Sequence, residues 1–180
     1  MAQERVAVAI AEWSPTIVPG LLQADGYARA IIKRGSPRAT EEEIKKGVVA
    51  RLARREVLEA DYPPDVRVVL CESVIRRTIG GADVMREQLA LLLRCGQHPT
   101  VRIQLLPLDA EPHLFVDYAV SILTSANHSS TVYGETYGTA GAVEDPERVR
   151  AAIRAYDEIT GEAFSTGESA RRIAKQMETL

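Results

Sequence analysis

The stretch WSPTIVPGLLQ at residues 13–23, followed by YARA at residues 27–30, is the most informative part of this chain. Two prolines and a glycine interrupt an apolar run, and helix-forming residues resume at once. Proline lacks a backbone N–H and breaks a helix interior. We therefore expect one helix to end near Trp13, a fixed turn to pack on the core, and a second helix to cover residues 24–34.

The residues upstream of this turn have helical spacing. Val6, Ile10 and Trp13 fall on one stripe of a predicted helix over residues 4–13. Tryptophan most often packs in a core, and this is the only one in the chain. A place in the wall of a ligand pocket is the alternative for Trp13.

A capping-box pattern downstream of the turn predicts another helix start. The hydroxyl of Thr40 and the carboxylate of Glu43 are spaced to satisfy each other's backbone N–H groups, and the helix is expected to run to about Ala60. Three arginines of this helix are spaced to pair with acidic neighbours, so we expect them to be solvated. They are Arg51, Arg54 and Arg55, with Glu56 and Glu59 as the neighbours.

The rest of the chain alternates strand and helix signals. Strands are predicted at residues 66–71, 101–106, 118–124 and 130–136, and helices at residues 82–94, from Asp145 onward, and at 165–177. The glycines from Gly134 to Gly141 are interpreted as strand ends. The pattern predicts an α+β fold, a single domain over residues 1–180. A small, mostly antiparallel sheet of three to five strands packs against N-terminal and C-terminal helices.

Composition excludes several classes of function. The net charge is −3 and the basic residues are interleaved with acidic ones, so we expect no direct binding of nucleic acid. No run of 18 apolar residues is present, and the first residues lack the pattern of a signal peptide. We therefore expect a cytoplasmic protein with no membrane span. Cys71 and Cys95 lie outside any CxxC pattern and are expected to be buried thiols rather than a disulfide.

The opening motifs also resemble a known family. The order and spacing of five motifs are similar to those of a known regulator domain. The motifs are PGLLQ and YARA, VVLCE at 68–72, MREQL at 85–89 and YGE at 133–135. This domain is the C-terminal, DUF5753-type domain of actinobacterial helix-turn-helix (XRE-like, antitoxin-like) transcriptional regulators. The likeness covers nearly the whole chain.

This resemblance implies a domain that senses a metabolite, or binds a protein partner, for an attached DNA-binding module. Because the signature begins close to Met1, we expect that module to be missing. The family has no catalytic motif to carry over. One local departure is Val116-Asp117-Tyr118, which stands where family members tend to have a small residue, proline and phenylalanine.

The first candidate group is His113, Asp117 and Tyr118, at the entry to a predicted strand. Histidine is the usual general acid or base near neutral pH, and an adjacent carboxylate can orient it. The alternative is a surface loop with a solvated aspartate and a tyrosine at its rim.

The second candidate group lies on a predicted strand. Tyr133 and Glu135 are two residues apart and therefore face the same side, and Tyr137 extends the row. A buried carboxylate beside a tyrosine would have a raised pKa and could move a proton. The alternative is a structural glutamate that pairs with an arginine.

Glu72, at the end of a predicted strand, is a further candidate for substrate binding. It can instead cap the next helix or pair with Arg76. The three histidines fall in separate loops, so we expect no metal site. The sequence contains no P-loop, GxGxxG, GxSxG or HExxH motif, so no cofactor is expected.

These features lead to two hypotheses for function. The first is a stand-alone enzyme of specialised metabolism that needs no cofactor and performs a hydration, dehydration or cyclisation. His113, Asp117, Tyr118 and Glu135 would move protons, and Trp13, Glu72, Tyr133 and Tyr137 would bind substrate. The second is a non-catalytic domain of a regulator that senses a metabolite or binds a protein. The expected partner is a small metabolite, with a protein partner or a homodimer as alternatives.

Overall fold

The computed structural model describes residues 4–111, 113–136 and 139–180. Its strands are β1 (Ala7–Ser14), β2 (Asp65–Cys71), β3 (Val101–Leu106), β4 (Ala119–Ser125), β5 (Ser130–Thr136) and β6 (Thr139–Val143). Its α-helices are α1 (Asp25–Gly35), α2 (Glu41–Leu52), α3 (Glu72–Arg76), α4 (Ala82–Cys95), α5 (Pro146–Glu162) and α6 (Thr166–Glu178). Short 3₁₀ segments lie at Glu4–Val6, Gly20–Leu22 and Ala53–Glu59.

The six strands form one mixed sheet in the order β3-β2-β1-β4-β5-β6. β1 and β2 pair in parallel, as do β2 and β3, because helical segments carry the chain back between them. β4, β5 and β6 pair antiparallel, and β4 lies antiparallel to β1. β1 is therefore central, at the point where parallel pairing changes to antiparallel pairing.

Helices cover both faces of the sheet. One face packs on Tyr27 of α1, on α4 and on Ile173 of α6, in the larger apolar cluster. The other face packs on α5, through a second cluster that includes Trp13, Phe115 and Tyr156. The residues of β1 alternate between these two clusters, as expected for a strand that is covered on both sides.

The α+β class is confirmed, but the prediction for the first element was wrong. Residues 7–14 form the central strand rather than a helix. Val6, Val8 and Ile10 recur at every second residue, which is the spacing of a strand. The alanines between them favour a helix, and burial on both faces overrides that local preference.

The sheet also has more strands than expected, six instead of three to five. The additional strands are β1 and β6. Gly134 and Gly141 lie inside β5 and β6 rather than at strand ends, while Gly138 lies outside the described residues. The helix that begins after Thr40 is α-helical only to Leu52, and a 3₁₀ segment continues it. Its capping box is confirmed, since both hydrogen bonds between Thr40 and Glu43 are present. The cysteines are free thiols, as predicted, but both are half-buried rather than buried.

Buried amides hold the turn that follows β1. Gln88 of α4 is fully buried, and its side chain accepts from Ala24 N and donates to Leu22 O, both at 2.8 Å. Gln23 donates to Val18 O at 2.6 Å. These bonds satisfy backbone groups that proline prevents from joining a helix or sheet, so the turn is fixed on the core as predicted.

Candidate functional site

A large apolar cavity lies between the sheet and α5, and we call it the α5 cavity. Its volume is about 690 Å³. Its walls include Phe115 and Tyr118 from the loop before β4, Val120 of β4, and residues of β5, β6 and α5.

Two facing glycines create this space. Trp13, Val120, Gly134 and Gly141 are consecutive cross-strand neighbours over β1, β4, β5 and β6. Residues opposite each other in a sheet project their side chains from the same face. The row therefore ends in two positions without side chains, and the cavity occupies the volume that side chains there would fill.

Trp13 anchors the loop that forms one wall of the α5 cavity. Its indole Nε1–H donates to Phe115 O at 2.9 Å, and its ring meets the His113 ring edge-on at 4.7 Å between centroids. Phe115 in turn contacts Tyr118, with 5.8 Å between ring centroids. Trp13 itself is buried in the core, and its indole affects the cavity by holding the loop that forms this wall.

His113 is half-buried behind this wall. Phe115 N–H donates to His113 Nδ1 at 3.2 Å, so that nitrogen is an acceptor and its lone pair is occupied. Burial lowers the pKa of His113 below its usual value of 6.5, and the nearby charge of Glu162 opposes this shift. The imidazole is therefore neutral at pH 7.

The lowered pKa of His113 makes stability depend on pH. The folded chain binds a proton at His113 more weakly than the unfolded chain does. The contribution of His113 to the free energy of unfolding is therefore fully present above pH 6.5. It is lost as the pH falls through that value toward the lowered pKa. We expect His113→Asn to flatten the rise in the free energy of unfolding between about pH 5 and 7. Urea titrations at a series of pH values measure this, with the exposed His128→Asn as control. An equal flattening in that control would contradict the assignment.

A smaller polar cavity lies on the opposite face of the sheet, beneath the turn that follows β1. We call it the turn cavity, and its volume is about 120 Å³. Glu12, Ser121 and Tyr133 from three neighbouring strands form its floor, while Gly20 and Arg54 are among its upper residues. Glu12 is buried and accepts from Ser121 Oγ at 3.1 Å.

The prediction that Arg51, Arg54 and Arg55 are solvated was wrong. Their side chains turn toward the region of the turn cavity. Arg54 forms two bonds of 3.1 Å and a third, shorter one to the buried carboxylate of Glu4, and its Nη2 lies 3.7 Å from Glu12 Oε1. Arg51 donates to Gln23 Oε1 at 3.2 Å, and Arg55 donates to Gln23 O. The 3₁₀ segment changes the angular position of these residues from that of a regular α-helix, and buried carboxylates give them partners.

The structure gathers some predicted site residues and separates others. Trp13, His113 and Tyr118 meet around Phe115 on the α5 side, while Asp117 is exposed. Tyr133 lies on the opposite face, in the turn cavity. Tyr137 and the side chain of Glu135 lie outside the described residues, so the predicted pair of Tyr133 and Glu135 stays a prediction.

Glu72 pairs with Arg76, which was one of the structural alternatives to substrate binding. It is buried and its Oε1 accepts from Arg76 at 3.0 Å and from Arg172 at 3.2 Å. The N-cap position of α3 is held by Cys71, whose side chain makes no capping bond. Glu72 therefore ties α3 to α6 and does not line either cavity.

Sequence reasoning missed the acidic and amide groups of the turn cavity. Glu12 was hidden in a stretch interpreted as a helix, and Gln23 was noted only as part of a motif. A strand interpretation of residues 7–14 would have placed Glu12 opposite a neighbouring strand and buried it. Because a buried carboxylate needs a charged or hydrogen-bonding partner, a buried Glu12 would have predicted a nearby cation such as Arg54.

Two absences apply to the described part of the chain. It contains no group of three or more histidine, cysteine or acidic side chains that could hold a metal ion. None of its helices has the length and apolar character needed to cross a bilayer.

A family model described as "Domain of unknown function (DUF5753)" matches residues 1–175. No curated protein and no solved structure matches the chain.

Proposed function

This chain belongs to the DUF5753 family, and we propose that it binds a largely apolar small molecule in the α5 cavity. The observation that carries this proposal is the space opened by Gly134 and Gly141, beside a wall fixed by Trp13. At about 690 Å³ the cavity is within the range of about 300–1,000 Å³ usual for small-molecule sites.

The lining of the α5 cavity suggests the chemistry of the ligand. Val120, Val132 and Phe115 supply apolar contact area. The phenol of Tyr118 and the exposed guanidinium of Arg148 are the polar groups of the lining. We therefore propose an apolar body with one polar or anionic end, which these two groups would orient.

The geometry favours binding over catalysis. The lone pair of His113 Nδ1 already accepts from Phe115 N–H, so this imidazole has no free acceptor with which to take a proton. Asp117 is exposed on the loop and is not among the cavity-lining residues. We propose a sensing role in which ligand binding orders the loop of residues 113–118. In keeping with the resemblance to helix-turn-helix regulators, that loop would report the ligand to a regulatory partner.

Filling the α5 cavity tests this proposal. A Cβ at Gly134 would lie 3.7 Å from the Tyr118 ring, which is ordinary contact, so Gly134→Leu is compatible with the fold and occupies the cavity. We expect the uncharged fluorophore N-phenyl-1-naphthylamine to bind the wild type saturably and Gly134→Leu at least about tenfold more weakly, because ligand and side chain compete for one volume.

Gly161→Leu is the matched control, since a Cβ there meets nothing within 4 Å. Undiminished binding by Gly134→Leu would place the probe elsewhere and sink the proposal. Metabolites that raise the melting temperature of the wild type but not of Gly134→Leu are then recovered and weighed by mass spectrometry. A ligand recovered unchanged supports sensing, whereas a changed mass would favour the cofactor-free enzyme.

A further inference from the structure

A row of three polar side chains crosses the sheet beneath the turn. Glu12 of β1 pairs with Ser121 of β4, and Ser121 pairs with Tyr133 of β5. Directly opposed residues have Cβ atoms about 4.5–5.5 Å apart, so a carboxylate, a hydroxyl and a phenol lie side by side. All three line the turn cavity.

The hydroxyl of Tyr133 is the least satisfied member of this row. It is buried, and it has no hydrogen-bond partner among the described residues. A buried hydroxyl without a partner costs about 1–3 kcal/mol. Because this hydroxyl borders a cavity, a bound molecule with an acceptor atom can supply the missing bond.

The upper wall of the turn cavity depends on a glycine and a guanidinium. A Cβ at Gly20 would overlap Arg54 Nη1, so a side chain at this position would displace the guanidinium from the wall. Arg51, Arg54 and Glu12 line the space, and Glu4, outside the lining, pairs with Arg54, so two guanidinium groups stand against two carboxylates. An ionic ligand would upset that balance, so the charge favours a neutral one.

The turn cavity also lies where ligands often bind in open sheets with parallel strands. It borders the carboxyl end of β1, at Glu12 and Ser14, where the chain leaves the sheet. There β1 has a parallel neighbour on one side and an antiparallel neighbour on the other. The departing turn covers the space rather than filling it.

We propose that the turn cavity is a second binding site, which takes the carboxamide group of a small uncharged molecule. The amide oxygen accepts from Tyr133 O–H, and the amide N–H donates toward the Glu12 carboxylate. A volume of about 120 Å³ corresponds to about four waters, or to a molecule of roughly five non-hydrogen atoms. The site is separate from the α5 cavity, which lies on the other face of the sheet.

Titration with three probes of similar size tests this site. Propionamide, propionate and propylammonium are added separately to ¹⁵N-labelled protein, and amide chemical shifts are followed by NMR. We expect propionamide to shift residues of β1, β4 and β5 around the cavity saturably. The two ions should bind at least about tenfold more weakly, because each adds a charge to a balanced site.

Tyr133→Phe removes only the donor hydroxyl. It should weaken propionamide binding about tenfold and leave the thermal stability of the free protein equal or higher, because that hydroxyl has no partner there. Tyr62→Phe, at a fully exposed tyrosine, is the matched control and should change neither. Ala119→Leu, which fills the cavity, should also abolish binding.

Three binding results would overturn the second site. They are the absence of any saturable shift around the cavity, equal binding by Tyr133→Phe and wild type, and equal affinity for an ion. A loss of stability in free Tyr133→Phe would also contradict it, since the hydroxyl would then be bonded within the protein.

Discussion

Replacing Trp13 by alanine is expected to lower the free energy of unfolding by about 3–5 kcal/mol. The indole is 3% exposed and packs in the cluster beneath α5, so its removal leaves a cavity as well as a lost transfer energy. The substitution also removes the donor to Phe115 O, which releases the loop of residues 113–118. Binding of an apolar probe in the α5 cavity should therefore weaken together with stability.

Urea denaturation followed by far-ultraviolet circular dichroism measures this effect, because the variant has no tryptophan left to report by fluorescence. Trp13→Phe keeps most of the buried area and loses the N–H donor, so its cost should be about 1–2 kcal/mol. Tyr62→Ala, at an exposed aromatic, should stay within about 0.5 kcal/mol. A cost for Trp13→Ala as small as that of Tyr62→Ala would show that Trp13 is not a core anchor.

Replacing Arg54 by leucine is expected to cost about 2–4 kcal/mol. Removing one partner of a buried ion pair costs about 3–5 kcal/mol, because the remaining charge stays buried. The side chains of Glu4 and Glu12 are only 7% and 5% exposed, so their charges would stay buried. We expect a cost somewhat below the range of about 3–5 kcal/mol because the Arg54 side chain is 24% exposed. Leucine retains part of the packing of the arginine stem, so the loss comes mainly from the charge.

Arg29→Leu is the control for Arg54→Leu. Arg29 pairs with Glu41 at 2.7 Å, but both side chains are well exposed, so its loss should cost about 0–1 kcal/mol. Adding 1 M salt should erase the small effect at Arg29 and leave most of that at Arg54. In a double-mutant cycle, Glu4→Gln should recover part of the cost of Arg54→Leu. Similar costs at Arg29 and Arg54 would show that burial does not strengthen the second pair.

Local signals in the sequence predicted most of the elements correctly. The capping box at Thr40, the breaks around α4, and the hairpin of β4 and β5 depend on neighbouring residues, and all appear in the structure. β1 and β6 depend on the rest of the fold instead. Alanine-rich β1 becomes a strand because two sheet partners and two helical layers enclose it, and no short window of sequence contains that information.

The candidate sites were harder to predict for the same reason. The anchoring of His113 by Trp13 joins residues far apart in sequence, and so does the row of Glu12, Ser121 and Tyr133. The α5 cavity is made by the absence of side chains at Gly134 and Gly141, and sequence reasoning looks first for chemically active groups. Pairing register was the missing knowledge, because it decides which residues share a face.

The central place of β1 also affects how the chain folds as it is synthesised. Ile10 pairs with Val66 on one side and with Leu123 on the other, so the middle of the sheet closes only after residue 123 has been synthesised. At roughly 5–20 residues per second, this delay is on the order of ten seconds on the ribosome. During that time an apolar strand presents first two unpaired edges and then, once β2 has paired, one, and such edges recruit other chains. Slow refolding, and aggregation that increases with protein concentration, are the expected kinetic signs of a strand that is made first and completed late.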